Sequence, residues 1–149
     1  MKKEVKTTFH DSGELNEVYE VNSEGMKDGY YRCYYPDGIL SQRGFYKEDK
    51  RVGKWSSHRW LDSYRETCPF VNDKADGEYI LYHKNGKVEK KGTWKDGNMC
   101  DIWTYYFKNG KVERECTWKD GKKDGEEIIY NRDGSISMRH TYKNGDLLK

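Results

Sequence analysis

The chain is poor in the residues that build an ordinary hydrophobic interior. Leu, Ile, Val and Phe together number 23 among 149 residues, and no apolar run approaches the length of a membrane span. Proline occurs only twice, and the four cysteines, Cys33, Cys68, Cys100 and Cys116, include no Cys-x-x-Cys pair. That spacing argues against a structural zinc site and leaves reduced, packing cysteines as the simplest account. Net charge is scarce too: 28 Lys and Arg stand against 26 Asp and Glu, a formal +2. Such a balance is unlike the footprint of a nucleic-acid binder, so no nucleic-acid partner is expected. The first residues, Met1-Lys-Lys-Glu-Val-Lys6, lack the apolar segment of a secretory signal, and neither end carries a lipidation signal. A soluble cytoplasmic protein is the expectation.

Motifs of chemistry are missing as well. There is no phosphate-binding loop, nucleophile elbow or His-Glu-x-x-His, and His10, His58, His83 and His140 are dispersed. No catalytic residue, metal ligand or cofactor is expected; an enzyme would need a deep pocket lined by His58 and neighbouring carboxylates.

What is present is aromatic and periodic. Twenty-two residues are Phe, Trp or Tyr, so low aliphatic content here signals an aromatic core rather than disorder. Gly29-Tyr-Tyr-Arg-Cys-Tyr-Tyr-Pro-Asp-Gly38, Gly77-Glu-Tyr-Ile-Leu-Tyr-His-Lys-Asn-Gly86, Asp101-Ile-Trp-Thr-Tyr-Tyr-Phe-Lys-Asn-Gly110 and Gly125-Glu-Glu-Ile-Ile-Tyr-Asn-Arg-Asp-Gly134 align with starts 48, 24 and 24 apart. A degenerate copy from Gly53 fills the gap, and another, with one residue inserted, precedes them around Phe9 to Gly13. Arrays of this kind are binding surfaces more often than reaction vessels.

Counting each opening Gly or Asp as position 0, position 9 is Gly in five of the six copies, preceded by Asp37, Asn85, Asn109, Asp133 or Ser12. Asn-Gly and Asp-Gly between apolar runs predict type I′ hairpin turns with positive φ at both central residues. A second turn recurs at positions 19 and 20, as Asp96-Gly97, Asp120-Gly121 and Asn144-Gly145. Between turns, Val88, Lys90, Gly92 and Trp94 alternate with Glu89 and Lys91, a period of two that marks strands. The expected fold is all-β: a single-layer twisted antiparallel meander of tandem β-hairpins, roughly twelve strands. It forms one repeat domain over 1–149, with repeats near 4–28, 29–52, 53–76, 77–100, 101–124 and 125–149.

Two features suggest function. Position 5 carries Phe9, Tyr34, Tyr82, Tyr106 and Tyr130, with His58 in the degenerate copy. These rings either stack between repeats as the core or form an exposed stripe suited to protein binding. The degenerate copy replaces its turn with Leu61-Asp62 and places Pro69 before its last aromatic. Its Arg59, Trp60, Tyr64 and Arg65 are the residue types of an interface anchor, unless the copy has simply drifted.

The pattern Gly-x-Trp/Tyr-x-x-Tyr-x-x-Asn/Asp-Gly-x-Val/Leu, then Tyr/Trp-Lys-Asp/Asn-Gly-x-x-x-Gly, resembles the MORN repeat, and more closely its bacterial variant. The match covers almost the whole chain and is clearest from Gly77 to Lys149. Bacterial proteins of this type look like the YwqK-type antitoxins; eukaryotic arrays are associated with membrane tethering, scaffolding and acidic lipids. The resemblance implies a non-enzymatic protein-binding module, an antitoxin or immunity protein that neutralises a toxin by occlusion. The alternative is a scaffold at a membrane surface that binds acidic lipid or membrane proteins. Partner-binding candidates are His58, Arg59, Trp60, Tyr64, Arg65, Tyr34, Tyr82 and Tyr106. Charged edge strands favour a monomer before complex formation.

Overall fold

The computed structural model describes residues 3–58 and 65–148 and contains no helix among them. The chain divides into two compact units, Met1–Lys74 and Ala75–Lys149. The first is an antiparallel meander of β1 (Glu4–Phe9), β2 (Leu15–Val21), β3 (Lys27–Tyr34), β4 (Leu40–Lys47), β5 (Lys50–His58) and β6 (Arg65–Val71). The dipeptide strand β7 (Lys74–Ala75) falls at the junction in sequence. The second unit repeats the plan with β8 (Gly77–Tyr82), β9 (Val88–Lys95), β10 (Asn98–Tyr106), β11 (Val112–Lys119), β12 (Lys122–Tyr130) and β13 (Ile136–Lys143), and β14 (Asp146–Leu147) folds back on β13. The expected all-β meander of tandem hairpins is therefore the observed architecture. The degenerate copy keeps its pairing without a shift, from Gly53 opposite Phe70 to His58 opposite Arg65.

The turns correct the sequence reading. At positions 8 and 9 only the glycine has positive φ, as at Gly86 and Gly110; Asn85 and Asn109 do not. The backbone N–H of Gly86 donates to His83 O at 2.9 Å and that of His83 to Lys87 O at 2.8 Å, the bonds of a three-residue loop closed by a G1 bulge. Asn is favoured there for its side chain: Asn85 Oδ1 accepts the N–H of Lys87 at 3.0 Å, and Asp37, Asn109 and Asp133 accept equivalently. The type I′ turn is the second one. Both its central residues have positive φ at Asp96-Gly97, Asp120-Gly121 and Asn144-Gly145, and also at Glu48-Asp49 and Asn72-Asp73, where no glycine stands. Each I′ turn is tied across the intervening strand by a backbone bond, Gly97 N to Ala75 O and Gly121 N to Met99 O among them.

In each unit the most buried rings lie on one face of the strands, at position 2. Tyr31 and Trp55 are buried in the first unit and Trp103, 1% exposed, in the second. Position 15 of the preceding repeat makes room for tryptophan. A Cβ on Gly44 would stand 2.2 Å from Trp55 Cδ2, and one on Gly92 the same distance from Trp103 Cδ2. The indole Nε1 of Trp55 then donates to Phe45 O and that of Trp103 to Thr93 O, each at 3.2 Å. Position-17 rings close the layer edge-on, Tyr46 on Trp55 at 5.0 Å and Trp94 on Trp103 at 5.4 Å between centroids. Cations roof it: Lys27 Nζ is 4.7 Å from the Tyr31 ring, and Arg51 Cζ 4.0 Å from Phe70.

Candidate functional site

Because the core takes position 2, it does not take position 5. None of Phe9, Tyr34, His58, Tyr82, Tyr106 and Tyr130 is among the buried residues; Phe9 is 62% exposed and the others are half-buried. The most buried rings therefore stand at position 2 and not in this column. Strand alternation puts these side chains on the face opposite the tryptophans, the open face. At Phe9, Tyr34, Tyr82, Tyr106 and Tyr130 the strand register shifts by one residue, a further β-bulge beside the G1 bulge of the first turn.

Position 6 fixes this column from behind. His10 Nε2 lies 2.9 Å from Tyr34 O, the Tyr35 hydroxyl donates to His58 O at 2.7 Å, and His83 Nε2 lies 2.9 Å from Tyr106 O. A carbonyl only accepts, so each imidazole presents an N–H to it. Each of these bonds runs from one repeat to the position-5 backbone of the next. The histidines without motif partners in the sequence thus have a structural task at His10 and His83.

Neighbours on the open face are polar. Tyr130 donates its hydroxyl to Glu115 Oε2 at 2.9 Å, which raises the phenol above its ordinary range. Lys91 Nζ lies 5.9 Å from the Tyr106 ring. In the first unit, burial first and then the Arg65 and Arg43 guanidiniums push the His58 imidazole below its ordinary 6.5. Among the described residues the buried His58 Nδ1 has no hydrogen-bond partner. The structure brings His58 and Arg65 together as a cross-strand pair. Arg59, Trp60 and Tyr64 lie outside the described residues. In the second unit, grooves of about 520 and 420 Å³ meet at Tyr106: one lined by His83, Phe107, Lys108, Glu113 and Arg132, the other by Lys87, Val88 and Lys91.

A second cluster escaped the sequence reading. Position 2 reads Tyr31, Trp55, Tyr79, Trp103 and then Glu127. Glu127 is 3% exposed and is held by Lys123 Nζ at 2.8 Å, His140 Nδ1 at 3.1 Å, the Tyr142 hydroxyl at 3.2 Å and Arg114 at 3.5 Å. Burial pushes its carboxyl up, but the bonds from Lys123 and His140 outweigh it and leave it below the ordinary range. The signal was one acid in an aromatic column. Among the described residues no three His, Cys, Asp or Glu side chains group as a metal site.

The family model described as MORN repeat variant matches residues 27–48, 75–96, 102–120 and 123–144, together more than half of the chain. Each matched segment holds one hairpin: in 27–48, β3, the bulged turn and β4. No curated protein matches the chain.

Proposed function

The chain belongs to the MORN repeat variant family, and on that premise we propose that it is a non-enzymatic protein-binding module that neutralises a protein toxin by occlusion. Repeats of this family mediate protein or membrane interactions. The observation that carries the reading is the position-5 column: half-buried aromatic side chains on the face opposite the tryptophans, with the backbone of Tyr34, His58 and Tyr106 pinned by the repeat before it. Tyrosines held rigidly lose little entropy on binding, the property of interface hot spots. Tyr34, His58 and Arg65 serve in the first unit, Tyr82 and Tyr106 in the second, and Arg59, Trp60 and Tyr64 of the degenerate copy are assigned to the same interface. The protein acts in the cytoplasm, as a monomer until it meets its partner.

Affinity capture of the tagged protein from its own cells, with mass spectrometry, tests this. One stoichiometric protein whose toxicity the chain suppresses is the expected outcome. A second reading, a scaffold at a membrane surface, draws on the exposed cations Lys84, Lys87, Lys108, Lys111 and Arg132 along the bulged turns of the second unit. Flotation with anionic liposomes at physiological salt separates the two: robust binding of the chain to the vesicles, with no dominant protein partner, favours the scaffold.

A further inference from the structure

We propose that the two grooves on either side of Tyr106 seat an extended acidic segment of the protein partner, with carboxylates taken by Lys87 and Lys91 on one side and by Lys108 and Arg132 on the other. This inference rests on the protein-binding reading and names the chemistry of what binds. The grooves share Tyr106 and Asn109, so their linings adjoin in one patch of the second unit. Four cations line it against one carboxylate, Glu113. In a chain with a formal charge of only +2, that is a local concentration of charge.

Among the described residues none of Lys87, Lys91, Lys108 and Arg132 forms an ion pair. Lys87 Nζ donates only to a carbonyl, Asn109 O, at 2.8 Å. Lys91 and Arg132 lie about the rings of Tyr106 and Phe107 at 5.9 and 6.0 Å. At the I′ turns of the same unit Lys95 pairs with Asp76 at 2.9 Å and Lys143 with Asp124 at 3.1 Å. Among the described residues two lysines are paired at the I′ turns of this unit, and no lysine or arginine is paired at its bulged turns.

A peptide fits this pattern better than a nucleic acid. Alternate residues of an extended peptide stand roughly 7 Å apart on one side, enough to address cations on both flanks of a ring. A peptide can also set a neutral residue beside Glu113, whereas a nucleic acid brings a phosphate with every nucleotide.

The test is fluorescence anisotropy of the full chain with a labelled ten-residue peptide of alternating Glu and Ser, beside a ten-residue oligothymidylate and phosphatidylserine vesicles. Salt-sensitive binding of the peptide is expected, weakened about tenfold or more by Lys87→Glu/Lys108→Glu/Arg132→Glu. The same reversal at the other turns, Lys119→Glu/Lys122→Glu, should leave it within about twofold. These five side chains are exposed, so circular dichroism should report folded variants. No binding, equal loss in both variants, or tighter binding of the oligonucleotide or vesicles at equal charge overturns the proposal. A captured partner that binds the triple variant as well as the parent sinks this inference and spares the protein-binding reading; capture of no partner sinks that reading itself.

Discussion

Glycine inside a strand normally weakens it, having no side chain to pack and more entropy to lose. Gly44 and Gly92 are kept for the opposite reason: their bare Cα is the floor on which Trp55 and Trp103 lie. Neither has positive φ, so the constraint is one of space. Gly92→Ala should therefore cost about 1–3 kcal/mol in urea unfolding, as overpacking does, and Trp103→Ala about 3–5 kcal/mol. Once the indole is gone the added methyl has room, so the double variant should lose less than the two losses added; strict additivity would refute the contact. Glu127 poses the complementary case of a carboxylate in an aromatic slot. Glu127→Ala leaves Lys123 without its ion-pair partner and should cost about 3–5 kcal/mol, while Glu127→Gln, which keeps the shape, should cost about 1–3 kcal/mol. Equal losses for the two would mean that the slot is valued for volume and not for charge.

At the scale of the element, the hairpin is set by two turns that look alike in sequence and differ in geometry. Asn-Gly at position 8 and Asp-Gly at position 19 both announce a reversal, and both occur where announced. Composition alone does not separate a type I turn with a G1 bulge from a type I′ turn, because glycine serves the left-handed residue of each. The discriminating fact is loop length, which depends on which backbone groups pair, and pairing is a tertiary outcome. The same holds for position 0, whose glycines read as punctuation. They are residues of positive φ where the strand takes two extra residues against its neighbour, as between Cys100 and Thr104 opposite Thr93 and Lys91. Asp101, at φ 59°, is the one positive-φ member of that column with a Cβ. Asp101→Gly should raise stability by up to about 1 kcal/mol and Asp101→Val should lower it by about 1–2 kcal/mol, read from melting temperatures. A destabilising glycine there would show that the Asp101 side chain outweighs backbone strain.

Over the whole molecule, titration should give a plateau of stability with identifiable edges. Asp28, Asp73, Asp76, Asp124, Asp133, Glu14 and Glu127 all have carboxyls held below their ordinary values of 3.8 and 4.5. Their contribution is present above those values and is lost as pH falls below about 4.5, when the unfolded chain takes up the protons first. His58, depressed from 6.5, adds an earlier, smaller loss below that pH, in the same direction. On the alkaline side, burial raises the thiols of Cys68, to about 11, and of Cys116 above 9.0, and the phenol of Tyr105 above 10.0. Stability from these groups is complete below about pH 9 and fades above it, because the unfolded chain ionises first. Urea midpoints across pH 3–11 should be flat between about 6.5 and 9 and fall on both sides; a maximum below pH 5 would contradict the assignment. The array, its period and its hairpins were legible in the sequence because turns and alternation are local. The face used for the core was not: Tyr occurs at positions 2 and 5 alike, and it is the packing of Trp55 and Trp103 against Gly44 and Gly92 that marks position 2. The central claim is that position 5, left over from the core, binds the partner. Calorimetric titration of the captured partner with Tyr34→Ala/Tyr82→Ala/Tyr106→Ala tests it most directly. The account predicts affinity lower by a factor of about 100 or more at a melting temperature close to the parent's; unchanged affinity, or loss of the fold in step with loss of binding, would contradict it.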